Sequence, residues 1–511
     1  MEEAIKDLEA RKAKARLMGD RVYIDRQHAL GHLTARERVE KLIDPGSFIE
    51  LGLLDHSIDP ELADKTPADG LIAGLAKVDG RPMAVMTLDK TVLAGTEGLS
   101  HMRKGKALHD FAQKRGLPIF LPGEGGGLRM PEGMGADGIS ERMMPWEMLR
   151  HGRRTPVLAA IMGDSFGGPT WSAVTADFAV MVKGACMAVS GPRMLEIATS
   201  EIITEEELGG WKIQAEVTGQ VDALAENDEE CLDLMRRFFS YMPLNADEET
   251  PHLESGDDPC RRLDEVIRIV PDNLKRAYDM RRLVRLIVDK GSFFELRETY
   301  GRALVTGLGR LAGRVVGLIA NQPLHNAGAS GPQECEKAIE FICLCDSYNI
   351  PLVFLHDTPG FLVGSQAERG KIATKIMVWN QAVAWSTVPK LSVVVRKSIG
   401  AAYSNMCGPS MGSDFVVAWP IAQISFTGDE VGVNVVYGRQ LAESAHPAEE
   451  RQELLKQWAH NSSPYRAAGK HLLDDVIDPR DTRKFLCQAL DYSCRRGVKS
   501  QRLLANWPTG F

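Results

Sequence analysis

Short apolar runs separated by helix-patterned stretches set the rhythm of this chain. LIAGLAKV (71–78), RPMAVMTLD (81–89), LPIFLPG (117–123) and PVLAAIM (156–162) are strand-sized. Between the second and third, SHMRKGKALHDFAQKRG (100–116) spaces its apolar residues at helical intervals. After PVLAAIM the chain passes a glycine-rich turn and enters a second predicted helix, GPTWSAVTADF (168–178). The same succession returns later, with PQECEKAIEFICLCDSYN (332–349) as the intervening helix. Continuous apolar strands alternating with helices predict an α/β fold of buried, mostly parallel βαβ units. In such folds ligands collect at strand C-terminal ends, where glycines let backbone amides face them. The glycines lie there in both halves: Gly95, Gly125 to Gly127 and Gly167–Gly168 in one, Gly328, Gly360 and Gly400 in the other.

The recurrence is a duplication. LIDPGSFIEL (42–51) returns as IVDKGSFFEL (287–296), an offset of 245 (287 − 42). GLAKVDGRPM (74–83) resembles GLGRLAGRVV (307–316) at an offset of 233 (307 − 74). That offset also sets LAG (93–95) on NAG (326–328) and TPVLAAIMGDSFGG (155–168) on VPKLSVVVRKSIGA (388–401). Further on, ADFAVMV (176–182) falls on SDFVVAW (413–419), an offset of 237 (413 − 176). The drift reflects loop-length differences between two copies of one fold. NADEETPHLESGDDP (245–259) is acidic, holds Pro and Gly and lacks apolar periodicity, so it reads as the linker between halves at 1–250 and 260–511.

Bulk properties narrow the class. A chain of 511 residues exceeds one ordinary core, which agrees with two large domains. Its 44% hydrophobic and 25% charged content is that of a soluble globular protein. A net charge of −8 argues against phosphate-backbone binding, which needs an excess of Lys and Arg. The opening MEEAIKDLEARKAKARLMGD mixes acids and bases without an apolar core, and no apolar run reaches membrane-spanning length. Nine scattered cysteines, the closest pair being Cys343 and Cys345, suggest neither a zinc site nor a disulfide framework. A cytoplasmic enzyme or binding protein is expected, with no metal.

Four segments carry candidate chemistry. Gly163-Asp164-Ser165-Phe166-Gly167 satisfies GxSxG between a predicted strand and helix, the context of a nucleophile elbow. A serine hydrolase using Ser165, with an acid and one of His252, His325 or His356, is therefore one reading. Its duplicate, Lys397-Ser398-Ile399-Gly400, lacks the first glycine. The same segment also reads as an oxyanion hole, with Gly167 and Gly168 exposing N–H donors and Gly400-Ala401-Ala402 as a second hole. EGGGLRMPEG (124–133) and DTPGFLVGS (357–365) are equivalent glycine-rich loops without a Walker A pattern. MRKGK (102–106) could meet the phosphates of a nucleotide-like carrier, although basic residues at a helix start usually face water. Met143, Met144 and Trp146 read as core or interface residues.

Several longer stretches resemble the biotin-dependent carboxyltransferase family, the β subunits of propionyl-CoA and acetyl-CoA carboxylases. These are LTARERVEKLIDPGSFIELG (33–52), NQPLHNAGASGPQECEKAIEFICLCDSYNIPLVFLHDTPGFLVG (321–364), VPKLSVVVRKSIGAAYSNM (388–406) and AWPIAQISFTG (418–428). SGPRMLEIATSEIITEEELGGWKIQAEVTGQVD (190–222) and DDVIDPRDTRK (474–484) extend the resemblance along the whole chain. It implies two crotonase-like ββα superhelix domains, acyl-CoA on the first half and carboxybiotin on the second. It also implies transfer of a carboxyl group to the α-carbon of an acyl-CoA, with propionyl-CoA as the first expectation. In such enzymes the biotin anion takes the α-proton and the acyl-CoA enolate attacks CO₂. Two oxyanions form, and no side-chain base is required.

On this resemblance Gly167 and Gly168 serve the enolate, while Gly400, Ala401 and Ala402 serve the biotin ureido oxygen. Ala94, Gly95, Gly126 and Gly127 line the CoA side, and Gly360 and Phe361 the biotin side. The implied partners are a biotin carboxylase or biotin carboxyl carrier chain, since no Met-Lys-Met motif or ATP-binding signature is present. The implied assembly is a homohexamer, a trimer of dimers. Relatives running the same half-reaction as decarboxylases or transcarboxylases on a malonyl-type CoA leave its direction open, and a non-catalytic scaffold subunit is a further alternative. Two departures stand out. Pro169 replaces the third small residue of the first hole and has no N–H. Ser404 stands where propionyl-preferring members typically carry Asp, so it is the candidate acyl-selectivity position.

Overall fold

The computed structural model describes residues 1–142 and 152–495; Met143, Met144 and Trp146 lie outside the described residues. Two mixed sheets of eight strands each form the framework. The first follows chain order through β1 (Ile49–Leu51), β2 (Leu71–Val78), β3 (Arg81–Leu88), β4 (Ile119–Gly125), β5 (Val157–Phe166), β6 (Phe178–Val182) and β7 (Ala223–Ala225). The short strand Met187–Ala188 pairs with β5. The second sheet repeats this order with β8 (Phe294–Leu296), β9 (Leu304–Leu311), β10 (Arg314–Asn321), β11 (Leu352–Thr358), β12 (Lys390–Ile399), β13 (Phe415–Ala418) and β14 (Asp475–Val476). Gln423–Ser425 pairs with β12, as Met187–Ala188 does with β5. The sequence repeat is thus a repeat of topology.

The expectation of mostly parallel strands holds only from β3 and β10 onward. β1, β2 and β3 are antiparallel neighbours, as are β8, β9 and β10. Asp79-Gly80 (φ 51° and 76°) and Ala312-Gly313 (φ 49° and 80°) make two-residue turns whose left-handed backbone matches strand twist. Asp-Gly inside GLAKVDGRPM carried that hairpin signal. It was masked because β2 and β9 are buried almost throughout and so lack clean alternation.

Helices close over these sheets. In the first half they are α1 (Ala35–Leu42), α2 (Leu99–Arg115), α3 (Gly168–Val174) and α4 (Asp228–Phe239). α1 starts with a capping box: the Thr34 hydroxyl accepts from the Glu37 N–H and the Glu37 carboxylate accepts from the Thr34 N–H at 2.8 Å. The second half contributes α5 (Met280–Ile287), α6 (Pro332–Ser347), α7 (Ile372–Trp385) and α8 (Ala402–Asn405). Equivalent helices α2 and α6 each direct a lysine inward. Lys104 Nζ donates to the carbonyls of Gly52, Ala68 and Leu71 at 3.1, 2.7 and 2.8 Å. Lys337 Nζ donates to those of Arg297, Tyr300 and Leu304 at 2.8, 2.9 and 2.8 Å. All three ammonium donors are used in each case, and each lysine ties its helix to the strand-forming segments beneath.

The halves share one apolar cluster that joins Phe120, Phe178 and Phe238 to Phe294, Phe341 and Tyr348. Phe178 stacks on Phe238 with centroids 4.4 Å apart and meets Phe294 at 5.9 Å. Polar ties flank it: the Tyr348 hydroxyl donates to Asp177 at 2.7 Å and Arg297 Nε to Asp222 at 2.9 Å. Residues 245–259 hold no helix or strand.

Candidate active site

Equivalent turns leave β5 and β12. Gly167 (φ 67°) and Gly400 (φ 65°) adopt the left-handed backbone that a side chain disfavours. Each uses its own N–H on the neighbouring short strand: Gly167 donates to the Ala188 carbonyl at 3.4 Å, Gly400 to that of Ser425 at 2.9 Å. The amides that follow point elsewhere. Among the described residues, the N–H groups of Gly168, Ala401 and Ala402 meet no acceptor. Pro169 occupies the position equivalent to Ala402 (402 − 233) and has no N–H. The first turn therefore offers one free amide and the second offers two.

The platform under each turn is strained in the same way. Leu93, Ala94 and Gly95 carry φ of 43°, 58° and 67°, and Asn326, Ala327 and Gly328 carry 48°, 52° and 84°. Left-handed backbone at non-glycine residues costs on the order of 1 kcal/mol each and persists only when the surroundings fix it. Here Gly126 N–H donates to the Gly95 carbonyl at 3.1 Å, and a Cβ on Gly126 would lie 2.9 Å from the Ala94 carbonyl. A Cβ on Gly167 would lie 3.9 Å from the Gly127 Cα. Ala94, Gly95, Gly126 and Gly127 are thus brought together beside Gly167. In the second half, Ser330 N–H donates to the Gly360 carbonyl at 3.2 Å, and Gly360 (φ 124°) faces the Ile399 carbonyl just before Gly400. The Phe361 ring sets its edge on Trp379 at 6.0 Å.

A cavity of 580 Å³ opens beside the first turn, bounded by Gly167, Gly168 and Pro169. Met86, Leu88, Leu121, Leu128, Ile161 and Trp171 give it apolar walls. Met102, Arg103, Gly105 and Lys106 of α2 form one side, so MRKGK borders the cavity while Arg103 and Lys106 remain exposed at its rim. Lys104 is the exception, turned inward onto its three carbonyls. Lys106 pairs with Asp110 one turn on.

The acids around the turns are handled differently. Glu124, at the end of β4, is bound by Arg38 at 2.9 Å and by Gln27. Arg38 also reaches Asp228 at 2.9 Å. The equivalent Asp357, at the end of β11, is bound by Arg396 at 2.8 Å. Glu97 has neither kind of support. Its carboxyl makes no hydrogen bond or ion pair among the described residues, and loss of water contact pushes its pKa up to about 7. Nearby, burial aided by Lys104 and Arg129 pushes His101 down to about 3, so its ring is neutral. Nothing in LAGTEGLSH (93–101) distinguishes Glu97 from a surface acid; only the fold over it does.

The hydrolase reading fails on geometry. Ser165 is fully buried and its hydroxyl donates only to the Gly163 carbonyl at 3.4 Å. His356 lies in the other half, its Nδ1 3.0 Å from the buried Ser398 hydroxyl. Ser404 lines a separate open hollow with Met377, Val378, Trp385 and Met411, off the walls of the Gly168 cavity. Among the described residues, no helix is long and apolar enough to cross a membrane.

Residues 26–503 match the family described as the Carboxyl transferase domain. The chain belongs to that family. It is 35% identical over 508 residues to the propionyl-CoA carboxylase carboxyltransferase subunit of Haloferax mediterranei, covering 98% of this chain and 97% of that one. It is 34% identical to the methylmalonyl-CoA carboxyltransferase 12S subunit of Propionibacterium freudenreichii subsp. shermanii, covering 99% and 98%. A solved transcarboxylase 12S structure, a hexamer with methylmalonyl-coenzyme A and methylmalonic acid bound, superposes with a TM-score of 0.92 at 33% identity, covering 99% of this chain and 98% of that one. The protein is a carboxyltransferase subunit of the biotin-dependent acyl-CoA carboxylase type, with two crotonase-like halves.

Proposed function

We propose that this carboxyltransferase moves a carboxyl group between biotin carried on a partner chain and the α-carbon of propionyl-CoA or a related acyl-CoA. The observation behind this is the pair of equivalent turns, 167–169 and 400–402, the first holding one amide N–H without an acceptor and the second two. Chemistry at the α-carbon of a thioester develops charge on the thioester oxygen. The Gly168 N–H is aimed to hold that charge, and fixed amides in an apolar cavity do so without reorganising. The Ala401 and Ala402 N–H groups are the matching donors for a ureido oxygen. A Cβ on Gly360 would meet only the Ile399 carbonyl, at 3.7 Å, so a flat ring can approach the backbone there, next in the chain to Phe361. When bound, biotin supplies the carboxyl group.

The chain's own residues do the rest. Ala94, Gly95, Gly126 and Gly127 form the platform on the CoA side, and the apolar walls exclude water from the reacting centre. Arg103 and Lys106, at the cavity's rim on α2, suit the phosphates of the coenzyme. In this scheme acyl-CoA lies on residues 1–250 and biotin on 260–511. Ser404 sits next to the second turn but off the Gly168 cavity, which supports a site formed between two chains within a homohexamer. The direction of transfer is set by the partners: similar chains are named as carboxylase, transcarboxylase and decarboxylase subunits. The cytoplasm is the proposed location.

The test is a series of acyl-CoAs offered to the chain assembled with its native biotinylated partner. Carboxyl transfer to at least one short acyl-CoA is expected. The chain alone, given ATP and bicarbonate, should carboxylate nothing; ATP-dependent carboxylation without a partner would overturn the assignment.

A further inference from the structure

The two turns do not offer equal numbers of donors, and a side-chain carboxyl lies beside the turn that offers fewer. Gly168 has its free N–H, Pro169 has none, and the equivalent turn has two. A Cβ on Gly168 would lie 2.6 and 2.8 Å from the two carboxyl oxygens of Glu97. With a Cα–Cβ bond of about 1.5 Å, the Gly168 backbone is thus within about 4 Å of that carboxyl. Glu97 is partly buried, borders the same 580 Å³ cavity and has no protein partner among the described residues. At the equivalent position of the second half (97 + 233) stands Ser330, whose backbone bridges to Phe361 and which belongs to the turn that kept both amides.

We propose that Glu97, as a neutral carboxylic acid, donates the second hydrogen bond to the thioester oxygen, replacing the amide that Pro169 removes. This rests on the carboxyltransferase reading above. An ionised carboxylate in that place would repel the charge developing on the oxygen, whereas a protonated one has an O–H to give. The surroundings favour the neutral form. Loss of water contact raises the Glu97 pKa to about 7. The other titratable groups facing the cavity do not offset this. His101 is neutral, Glu124 is held by Arg38, Lys106 by Asp110, and Arg103, on the α2 wall, is exposed to water that screens its charge. Glu97 lies on the short strand Thr96–Glu97, which pairs with Gly127–Leu128; behind it, Arg129 is taken up by Asp69 at 2.6 Å and Glu132 at 2.8 Å.

Three variants and one spectrum test it in the complete complex. Glu97→Leu should lower kcat by about 10²-fold, the scale of one lost oxyanion donor, with KM little changed. Glu97→Gln keeps a neutral donor and should keep most of the turnover. The sign of the pH effect follows from which form donates. Wild-type kcat should fall as pH rises through about 7 and the acid ionises, and in Glu97→Gln that fall should vanish. Adding Pro169→Ala to Glu97→Leu restores an N–H at the turn and should recover part of the lost rate. Infrared difference spectra of wild type against Glu97→Gln should show a carboxylic-acid C=O band below pH 7 that shifts when propionyl-CoA binds. That shift in a protein that transfers no carboxyl group would keep the Glu97 assignment and sink the carboxyltransferase reading. An active protein in which Glu97→Leu turns over normally, or in which no such band exists, would overturn the assignment itself.

Discussion

Pro169 and Ala402 hold the same place in a repeated turn, and one atom, the amide hydrogen, separates their roles. Removing such a hydrogen elsewhere should be as consequential. Ala401→Pro deletes a free donor of the second turn and should lower turnover by roughly 10²–10³-fold, measured in the assembled complex. Ser165→Ala, by contrast, removes a hydroxyl that only touches the Gly163 carbonyl at 3.4 Å and should retain most activity. A folded but dead Ser165→Ala protein would restore the serine as a nucleophile. The turn glycines were legible in the sequence because a left-handed φ after a strand selects glycine, and the repeat pointed to both. Glu97 was not, and for MRKGK a phosphate contact and a water-facing helix start stood side by side. Their chemistry depends on which surface folds over them, and an acid or a lysine on a helix looks alike whether it faces water or a cavity. Ala94 was named only through the family resemblance, and the left-handed backbone of Ala94 and Ala327 was silent, since alanine gives no sign of such a conformation held by its neighbours.

At the scale of elements, the start of α2 is held by a buried ionic knot that also fixes the Glu97 strand. Arg129 joins Asp69 and Glu132, its second terminal nitrogen donates to the Thr96 carbonyl at 3.0 Å, and Asp69 accepts from the His101 N–H at 2.7 Å. Burial works against the Glu132 charge, but hydrogen bonds from Ser57, Arg129 and the Leu99 N–H outweigh it and hold the pKa down to about 2. A carboxyl with a lowered folded-state pKa adds stability that is present above its ordinary 4.5 and lost as pH falls toward 2. Glu132→Gln should therefore unfold at lower urea concentration than wild type at pH 7, a gap of about 2–3 kcal/mol. The gap should narrow steadily between pH 4.5 and 2; a gap that does not change with pH would mean the charge contributes nothing. The strand and helix order was readable from apolar runs, and the antiparallel hairpins were not, because both faces of β2 and β9 are buried and period-two alternation disappears. The knot itself joins residues up to 75 positions apart, a pairing that no local pattern encodes.

Across the whole molecule, the duplication puts one kind of turn at two places with different companions. The first turn has a deep apolar cavity and a cationic helix face, and the second has Phe361, Ser404 and an open hollow lined by Met377 and Trp385. Neither turn alone provides donors for both a thioester and a ureido oxygen. Ser404 also lies off the walls of the first cavity, and on the function proposed above the second half of another chain completes the site. This predicts complementation. Gly168→Val places a side chain against the Glu97 carboxyl and blocks the first turn, while Ala401→Pro disables the second. Each variant should be strongly impaired as a homo-oligomer. In mixed oligomers, a chain carrying Gly168→Val keeps an intact second half and a chain carrying Ala401→Pro keeps an intact first half. Where these face one another, a complete site forms, and activity should reappear as the proportions approach equality. If the sites were instead built within single chains, every site in the mixture would retain one defect. Mixed oligomers verified by mass that transfer no carboxyl group would therefore place both turns of a working site on one chain.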